Sequence, residues 1–315
     1  MDAGKVVSVT PYACTQMSQA SATFVATARA LAADRAAAEV VVAWRARGIE
    51  SILLKGASVA GWLYPGEPRP YGDADLLVDP ARVADAAAVL VSLGYAPGPT
   101  EVSRHAHPWV RREDAAVIDL HVTLHGADCS PRALWQELAR WLEPSEVAAV
   151  VVSVPDLPAR ALLVALHAAQ HRDLPKPRED LRRALTRTPD EAWLESDRLA
   201  DRLWALPTMI EGLGLDRRGA LLLERLPHAH ALTLAAGARA PLAVGFARLR
   251  AAEGWRSRLA ALMRAVAPPV HLIRIEHPGR RLGRASVVLA YVVRLVRLPA
   301  AALLTSIRLR RARRR

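Results

Sequence analysis

Three aspartates with apolar neighbours are the residues of this chain best suited to chemistry. Asp73 and Asp75 lie in the stretch GDADLLV, and Asp119 lies in the stretch VIDLH. Residues two positions apart in a β-strand project from the same face, so Asp73 and Asp75 are expected to lie side by side. Carboxylates this close stay ionised together only with a cation between them, and their hard oxygens suit Mg²⁺. If a neighbouring strand adds Asp119, the three acids form a cluster suited to two-metal phosphoryl or nucleotidyl transfer.

A lysine–glycine step precedes these aspartates. Lys55 and Gly56 follow an apolar run, and Gly56 opens a helical pattern that contains Ser58. A glycine there lets the backbone approach a phosphate closely while helix amides donate hydrogen bonds. Lys55 adds a positive charge and is one of only three lysines among the 43 basic residues. Arg69, in a proline-rich loop, is a further candidate to reach a phosphate, with a solvated surface arginine as the alternative.

The apolar patterning predicts mixed strands and helices first and helices alone afterwards. Strands are predicted over residues 49–54, 73–78, 102–110, 117–122 and 150–154. Helices are predicted over residues 17–48, 56–63, 83–93, 131–142, 159–172, 178–185, 191–206 and 220–226. The fold class is therefore α+β or α/β, with a mixed β-sheet and flanking helices, followed by an all-helical C-terminal half. We expect an α/β domain over residues 1–155. Residues 156–315 are expected to form a helical domain that binds the molecule to which a phosphoryl or nucleotidyl group is transferred.

Composition excludes several classes of protein. Hydrophobic residues make up 52% and charged residues 23% of the 315 residues, so most of the chain can form a packed core. The two cysteines rule out a disulfide scaffold and a four-cysteine metal site. No apolar run reaches the roughly 18 residues that span a bilayer, and the N-terminus lacks the pattern of a signal peptide. We therefore expect a cytoplasmic protein without a transmembrane span.

The net charge of +12 is concentrated at the C-terminus. Twelve arginines and one acid fall between Arg274 and Arg315, so the rest of the chain is nearly neutral. This Arg-rich segment has two interpretations. It could contact nucleic acid or an anionic membrane surface, or it could be a packed helix with a solvated end. The second interpretation is favoured, because no aromatic cluster accompanies the arginines.

Four further residues are candidates for contact with the substrate. His121 shares a strand face with Asp119, which makes it a candidate to contact the substrate or to support the acids, with a purely structural role as the alternative. His167 and His171 lie four positions apart on one face of a predicted helix, and no glutamate occupies position 168. The HExxH zinc pattern is therefore absent, and a helix face packed toward the cleft is favoured over zinc. Asp180 is expected to line or cap the same cleft.

The aspartate and lysine–glycine segments resemble the nucleotidyltransferase superfamily of the DNA polymerase β type. More narrowly, LLKGASVAGWLYPGEPRPYGDADLLV and the downstream IDLHVTL are similar to an uncharacterised bacterial nucleotidyltransferase-like family, and the resemblance covers roughly residues 50–185. It implies that Asp73, Asp75 and Asp119 are catalytic carboxylates that bind metal. It also implies that Lys55, Gly56 and Ser58 face the triphosphate of an NTP co-substrate.

These observations predict a metal-dependent nucleotidyltransferase. It would move a nucleoside monophosphate from an NTP, such as ATP, to a hydroxyl or phosphate of a small molecule, peptide or protein, with two Mg²⁺ ions. One alternative is a non-catalytic module that binds nucleotide. Another is a toxin-like or RNA-modifying transferase that uses the basic C-terminal segment to hold RNA.

Overall fold

The computed structural model describes residues 11–98, 106–113 and 116–237 of the chain. These residues form two compact units. Unit 1 takes the residues up to Leu124 together with Ser130–Asp156. Unit 2 takes His125–Cys129 and the residues from Leu157 onward. The basic segment predicted at the C-terminus lies outside the described residues.

Unit 1 is built on a mixed five-stranded sheet. Its strands are β1 (Ser51–Leu53), β2 (Ala74–Val78), β3 (Ala96–Pro97), β4 (Ala106–Arg111) and β5 (Ala116–His121). Their spatial order is β1-β2-β5-β4-β3. The β2–β5 pair is parallel, whereas the other three pairs are antiparallel. All five residues of β2 are buried, which fits a strand with neighbours on both edges.

Helices of unit 1 pack against this sheet. They are α1 (Pro11–Arg45), α2 (Ala57–Leu63), a 3₁₀ turn (Pro80–Arg82), α3 (Val83–Ser92) and α4 (Pro131–Leu138). The last three turns of α1 bring small and apolar side chains, including Val40 and Trp44, into the core with Leu76 and Ile118. The Trp44 indole donates a 3.0 Å hydrogen bond to the Ala86 carbonyl of α3, so this large side chain is satisfied as well as buried.

Two further strands, β6 (Leu142–Val147) and β7 (Val150–Pro155), form an antiparallel hairpin in unit 1. The predicted helix over residues 131–142 is therefore too long, because α4 ends at Leu138. The pattern gave no signal for β6, since Pro144 interrupts it and the turn lacks the usual Asn-Gly pair.

Unit 2 consists of six helices within the described part of the chain. They are α5 (Leu157–Gln170), α6 (Pro175–Arg187), α7 (Asp190–Arg202), α8 (Leu206–Leu213), α9 (Arg217–Leu223) and α10 (Pro227–Gly237). Helix α5 buries nine of its residues and contacts α6, α7 and α8. A Cβ on Gly212 of α8 would lie 2.0 Å from the Ala165 carbonyl oxygen of α5, so the glycine lets these two helices approach closely.

A buried carboxylate of α7 caps α10. Asp197 is fully buried, and its two oxygens accept hydrogen bonds from the backbone N–H groups of His228 (2.8 Å) and Ala229 (2.9 Å). The side chain of His228 makes another contact with this carboxylate, since its Nδ1 lies 2.8 Å from Asp197 Oδ2. These amides have no partner within their own helix, so Asp197 supplies from another helix what an N-cap residue usually supplies locally.

The predicted fold class is confirmed within the described residues. A mixed sheet with flanking helices forms unit 1, and every regular element described after Pro155 is a helix. In the described part of the chain, no helix combines the length and the apolar character needed to cross a membrane.

The β6–β7 turn gives a prediction for stability. Ala148 and Ala149 both have positive φ, 46° and 62°, a region in which side chains with a Cβ are strained. Changing Ala148→Asn together with Ala149→Gly should raise the free energy of unfolding by about 1 kcal/mol, measured by urea denaturation. Ala88→Gly, on the exposed face of α3, is the control and should lower it by about 1 kcal/mol. A turn variant no more stable than wild type would contradict the prediction.

Candidate functional site

The pairing of β2 with β5 brings two of the predicted acids together. These strands are parallel, and their register pairs Asp75 with Asp119 and Leu77 with His121. Paired residues of neighbouring strands project from the same face of a sheet, so the two carboxylates lie side by side. Ligand atoms of Asp75, Asp119 and His121 all lie within 4.8 Å of one another. Within the described residues, this is the only group of three or more His, Cys, Asp or Glu with that geometry.

Asp73 lies beside this group but is not on the strand. Strand β2 begins at Ala74, so the alternation of strand faces does not apply to Asp73. Its charge nevertheless acts on both Asp119 and Lys55. The third carboxylate therefore contributes to the electrostatics of the site, and its role as a metal ligand stays a prediction.

Asp75 is held between two nitrogen groups. Lys55 Nζ and His121 Nε2 each lie 2.9 Å from Asp75 Oδ1, and the residue is only 3% exposed. Burial by itself raises the pKa of Asp75, but the Lys55 charge and the His121 hydrogen bond outweigh it and hold the pKa well below its usual range. An ionised carboxylate can only accept hydrogen bonds, so His121 Nε2 is the donor.

Asp119 has the opposite shift. Burial raises its pKa most, and the negative charges of Asp75 and Asp73 raise it further, to about 6. Burial by itself lowers the pKa of Lys55, but the charges of the acids outweigh it and raise that pKa, so the lysine keeps its proton. Three carboxylates therefore surround one ammonium group, which leaves an excess of negative charge that a divalent cation would neutralise.

The predicted phosphate segment has a constrained backbone. Gly56 adopts φ 72° and ψ −121°, which residues with a Cβ rarely adopt. The space that a Cβ would enter is bounded by the ring edge of Tyr71, 3.4 Å away. Ser58 is buried and donates its hydroxyl to the Leu54 carbonyl at 3.2 Å. Contact of Lys55, Gly56 and Ser58 with a phosphate stays a prediction.

Arg69 is buried rather than solvated. It is 5% exposed, and its guanidinium carbon lies 5.8 Å from the centre of the Tyr71 ring. Tyr71 in turn donates its hydroxyl to Asp34 of α1. Sequence reasoning did not single out Tyr71 or Asp34, because 37 positions separate them and no motif marks either.

The remaining predicted substrate residues lie in unit 2. The His167 and His171 rings meet edge to face, with centroids 4.8 Å apart. Asp180 is 1% exposed within α6. Within the described residues these side chains belong to no group of three or more possible metal ligands. Their contact with an acceptor stays a prediction.

Comparison with known proteins identifies the class. A profile described as uncharacterised nucleotidyltransferase matches residues 8–215, which is more than half of the chain. The protein is therefore a transferase enzyme of the nucleotidyltransferase class, which moves nucleoside monophosphates. The chain belongs to the uncharacterised nucleotidyltransferase family, and the resemblance seen in its motifs is confirmed. No curated protein matches the sequence significantly.

Two solved structures show weak similarity. One is the solution structure of the antibiotic-resistance factor ANT(2'')-Ia, whose sequence is 19% identical to this one. The match covers 53% of this chain and 91% of the ANT(2'')-Ia chain, with a TM-score of 0.38. The crystal structure of the lincosamide antibiotic adenylyltransferase LnuA bound to lincomycin is 15% identical, covers 48% and 94%, and has a TM-score of 0.35. Similarity at this level assigns no substrate to this chain.

The conformation of Gly56 gives a prediction. Gly56→Ala should lower the free energy of unfolding by about 1–3 kcal/mol, because alanine is strained at a φ of 72°. Gly61→Ala is the matched control. This glycine lies in α2 with nothing within 4 Å of the position that a Cβ would take, so the change should be neutral or stabilise by up to about 1 kcal/mol. Equal effects of the two changes in urea denaturation would contradict the prediction.

The raised pKa of Asp119 gives a second prediction, for protein free of divalent ions. The folded state binds the Asp119 proton more tightly than the unfolded state does, since its pKa rises from 3.8 to about 6. This carboxyl therefore favours folding at low pH, and that contribution is lost as pH rises from about 4 to about 6. The unfolding free energy of wild type should fall relative to Asp119→Asn over this range. The control is Asp85→Asn, at an exposed position on α3. A difference between wild type and Asp119→Asn that stays constant with pH would contradict it.

Proposed function

We propose that this enzyme transfers a nucleoside monophosphate from an NTP to an acceptor hydroxyl or phosphate, in a Mg²⁺-dependent reaction at Asp75, Asp119 and Asp73. ATP is the proposed donor of the nucleoside monophosphate, and two Mg²⁺ ions are the proposed cofactors. The acceptor is a small molecule, a peptide or a protein side chain.

One observation carries the proposal. Asp75 and Asp119 are in register on paired parallel strands, with ligand atoms within 4.8 Å, in a chain that belongs to a nucleotidyltransferase family. Two carboxylates at this separation repel each other unless a cation neutralises them, and Mg²⁺ prefers oxygen ligands of this kind.

The chemistry of the donor set decides which residues would hold the ion. Asp75 and Asp119 supply oxygens, and Asp73 is close enough for its charge to be felt by both Asp119 and Lys55. His121 Nε2 already donates to Asp75 Oδ1, and a nitrogen ligand suits Mg²⁺ less well than oxygen. We therefore assign His121 to orienting Asp75 and the carboxylates to the ion. When bound, Mg²⁺ would neutralise phosphate charge and act as a Lewis acid.

The reaction joins an acceptor oxygen to the α-phosphorus and breaks the bond to the bridging oxygen, so that pyrophosphate leaves and the acceptor loses a proton. Lys55 stays protonated beside Asp75, where its charge is available to a phosphate oxygen. Arg69 adds a second positive charge in the neighbouring loop. Positive groups held in place before the reaction lower the barrier most where negative charge develops.

We assign binding of the acceptor to residues of unit 2. His167 and His171 offer imidazoles suited to hydrogen bonds with an acceptor, and their proximity in space makes them one polar cluster. Asp180, buried in α6, is the third residue of this assignment.

The test compares wild type with Asp75→Asn and Asp119→Asn. With Mn²⁺ as a paramagnetic probe, wild type should bind the ion and then a non-hydrolysable ATP analogue. Each variant should weaken Mn²⁺ binding by about 10–100-fold. Asp85→Asn on α3 is the control for loss of one exposed acid and should bind as wild type does.

Two outcomes would decide against the proposal. Unchanged Mn²⁺ binding in Asp119→Asn would remove the metal role of the paired acids, even if Asp75→Asn fails to fold. Binding of nucleotide without pyrophosphate release, across a broad set of acceptors, would favour a non-catalytic module.

A further inference from the structure

Tyr71 links helix α1 to the predicted phosphate segment. It lies in the proline-rich loop between α2 and β2, two residues before Asp73. Its hydroxyl donates to both carboxylate oxygens of Asp34, at 2.8 Å and 2.9 Å. Asp34 lies in α1, whose later turns are anchored in the core of unit 1. The loop is therefore tied to a fixed part of the fold through one side chain.

The ring of Tyr71 touches the segments that flank the acids. Its edge lies 3.4 Å from the place where a Cβ on Gly56 would stand, so the glycine and the ring fit against each other. The guanidinium of Arg69 lies 5.8 Å from the ring centre, within the range of a cation–π contact. Tyr71 thus lies beside two residues expected to meet a nucleotide, Gly56 and Arg69.

The hydrogen bond between Tyr71 and Asp34 is a strong one. Burial and the charge of Asp34 raise the pKa of Tyr71, so the phenol keeps its proton and remains a donor at neutral pH. Burial raises the pKa of Asp34, and the bond from Tyr71 acts against this rise. A charged acceptor that is partly removed from water makes a stronger hydrogen bond than a neutral one.

We propose that Asp34 and Tyr71 are positioning residues, which hold the Lys55–Gly56 segment and Arg69 in place relative to Asp73 and thereby set the affinity of the enzyme for its nucleotide. This inference rests on the proposed function, because it assigns these segments to the nucleotide. Neither Asp34 nor Tyr71 is proposed to bind the metal ion or to contact Asp75 and Asp119. They act through Gly56 and Arg69.

Another contact of α1 serves as the matched comparison. Glu39 lies five residues beyond Asp34 on the same helix and forms a two-pronged ion pair with Arg111 of β4, at 2.7 Å and 3.0 Å. This pair also ties α1 to the rest of unit 1, but through β4, which β5 and β2 separate from β1 and the Lys55–Gly56 segment that follows it. A purely structural role predicts similar effects when either contact is broken, whereas a positioning role predicts different ones.

The experiment uses the full chain, with Mn²⁺ alone and then Mn²⁺ with a non-hydrolysable ATP analogue as probes. Tyr71→Phe keeps the ring but removes the donor, and it should weaken binding of the analogue by about tenfold. Binding of Mn²⁺ alone should stay within about threefold, because the β2–β5 register fixes Asp75 and Asp119 independently. Asp34→Asn keeps an acceptor oxygen and should restore most of the affinity that Asp34→Ala loses. Glu39→Ala, which breaks the contact with Arg111 as Asp34→Ala breaks the contact with Tyr71, should bind the analogue as wild type does.

The outcomes separate this inference from the proposed function. If wild type binds neither Mn²⁺ nor the analogue, the proposed function and the inference fall together. If wild type binds both, but Tyr71→Phe and Asp34→Ala bind the analogue equally well, the inference alone is overturned. Equal loss of affinity in Glu39→Ala would also overturn it, since breaking any anchor of α1 would then suffice.

Discussion

The parallel pairing of β2 with β5 is the constraint on which the site depends. Its register alone sets Asp75 against Asp119, and a shift by one residue would turn one carboxylate to the opposite face of the sheet. The register is held by the apolar residues that alternate with the acids. Leu76, Ile118 and Leu120 are almost fully buried, and a shift by one residue would put a carboxylate where a leucine or isoleucine now packs. The same core packing that stabilises the sheet therefore holds two like charges together.

The cost of that arrangement is spread over several groups. Lys55 and His121 compensate Asp75, while burial and then the charges of Asp75 and Asp73 raise the pKa of Asp119. A buried carboxylate without such partners would be strongly destabilising. The two acids are thus unequal although they face each other. The pKa of Asp75 is held well below its usual range and that of Asp119 is raised, a difference produced by their surroundings rather than by their residue type.

The acids could be predicted from sequence because each breaks an apolar pattern that is otherwise continuous. The strand pattern around Asp75 and Asp119 was sufficient to predict that these two acids lie together. The Lys55–Gly56 pair before them supported the resemblance to the family. Contacts that depend on distant pairing could not be predicted in this way. The bond between Asp34 and Tyr71 spans 37 positions, and neither residue belongs to a motif. Strand β6 was missed because its partner and its turn, not its own residues, define it.

The capping of α10 by Asp197 has a consequence for the order in which the chain folds. The first turn of a helix is the costly step in its formation, and here the acceptor for two of its first amides lies about thirty residues upstream on α7. As the chain leaves the ribosome, α7 emerges first and carries the carboxylate on which the later helix can start. Unit 2 is therefore expected to assemble from its N-terminal side, with α10 as a late addition rather than a seed.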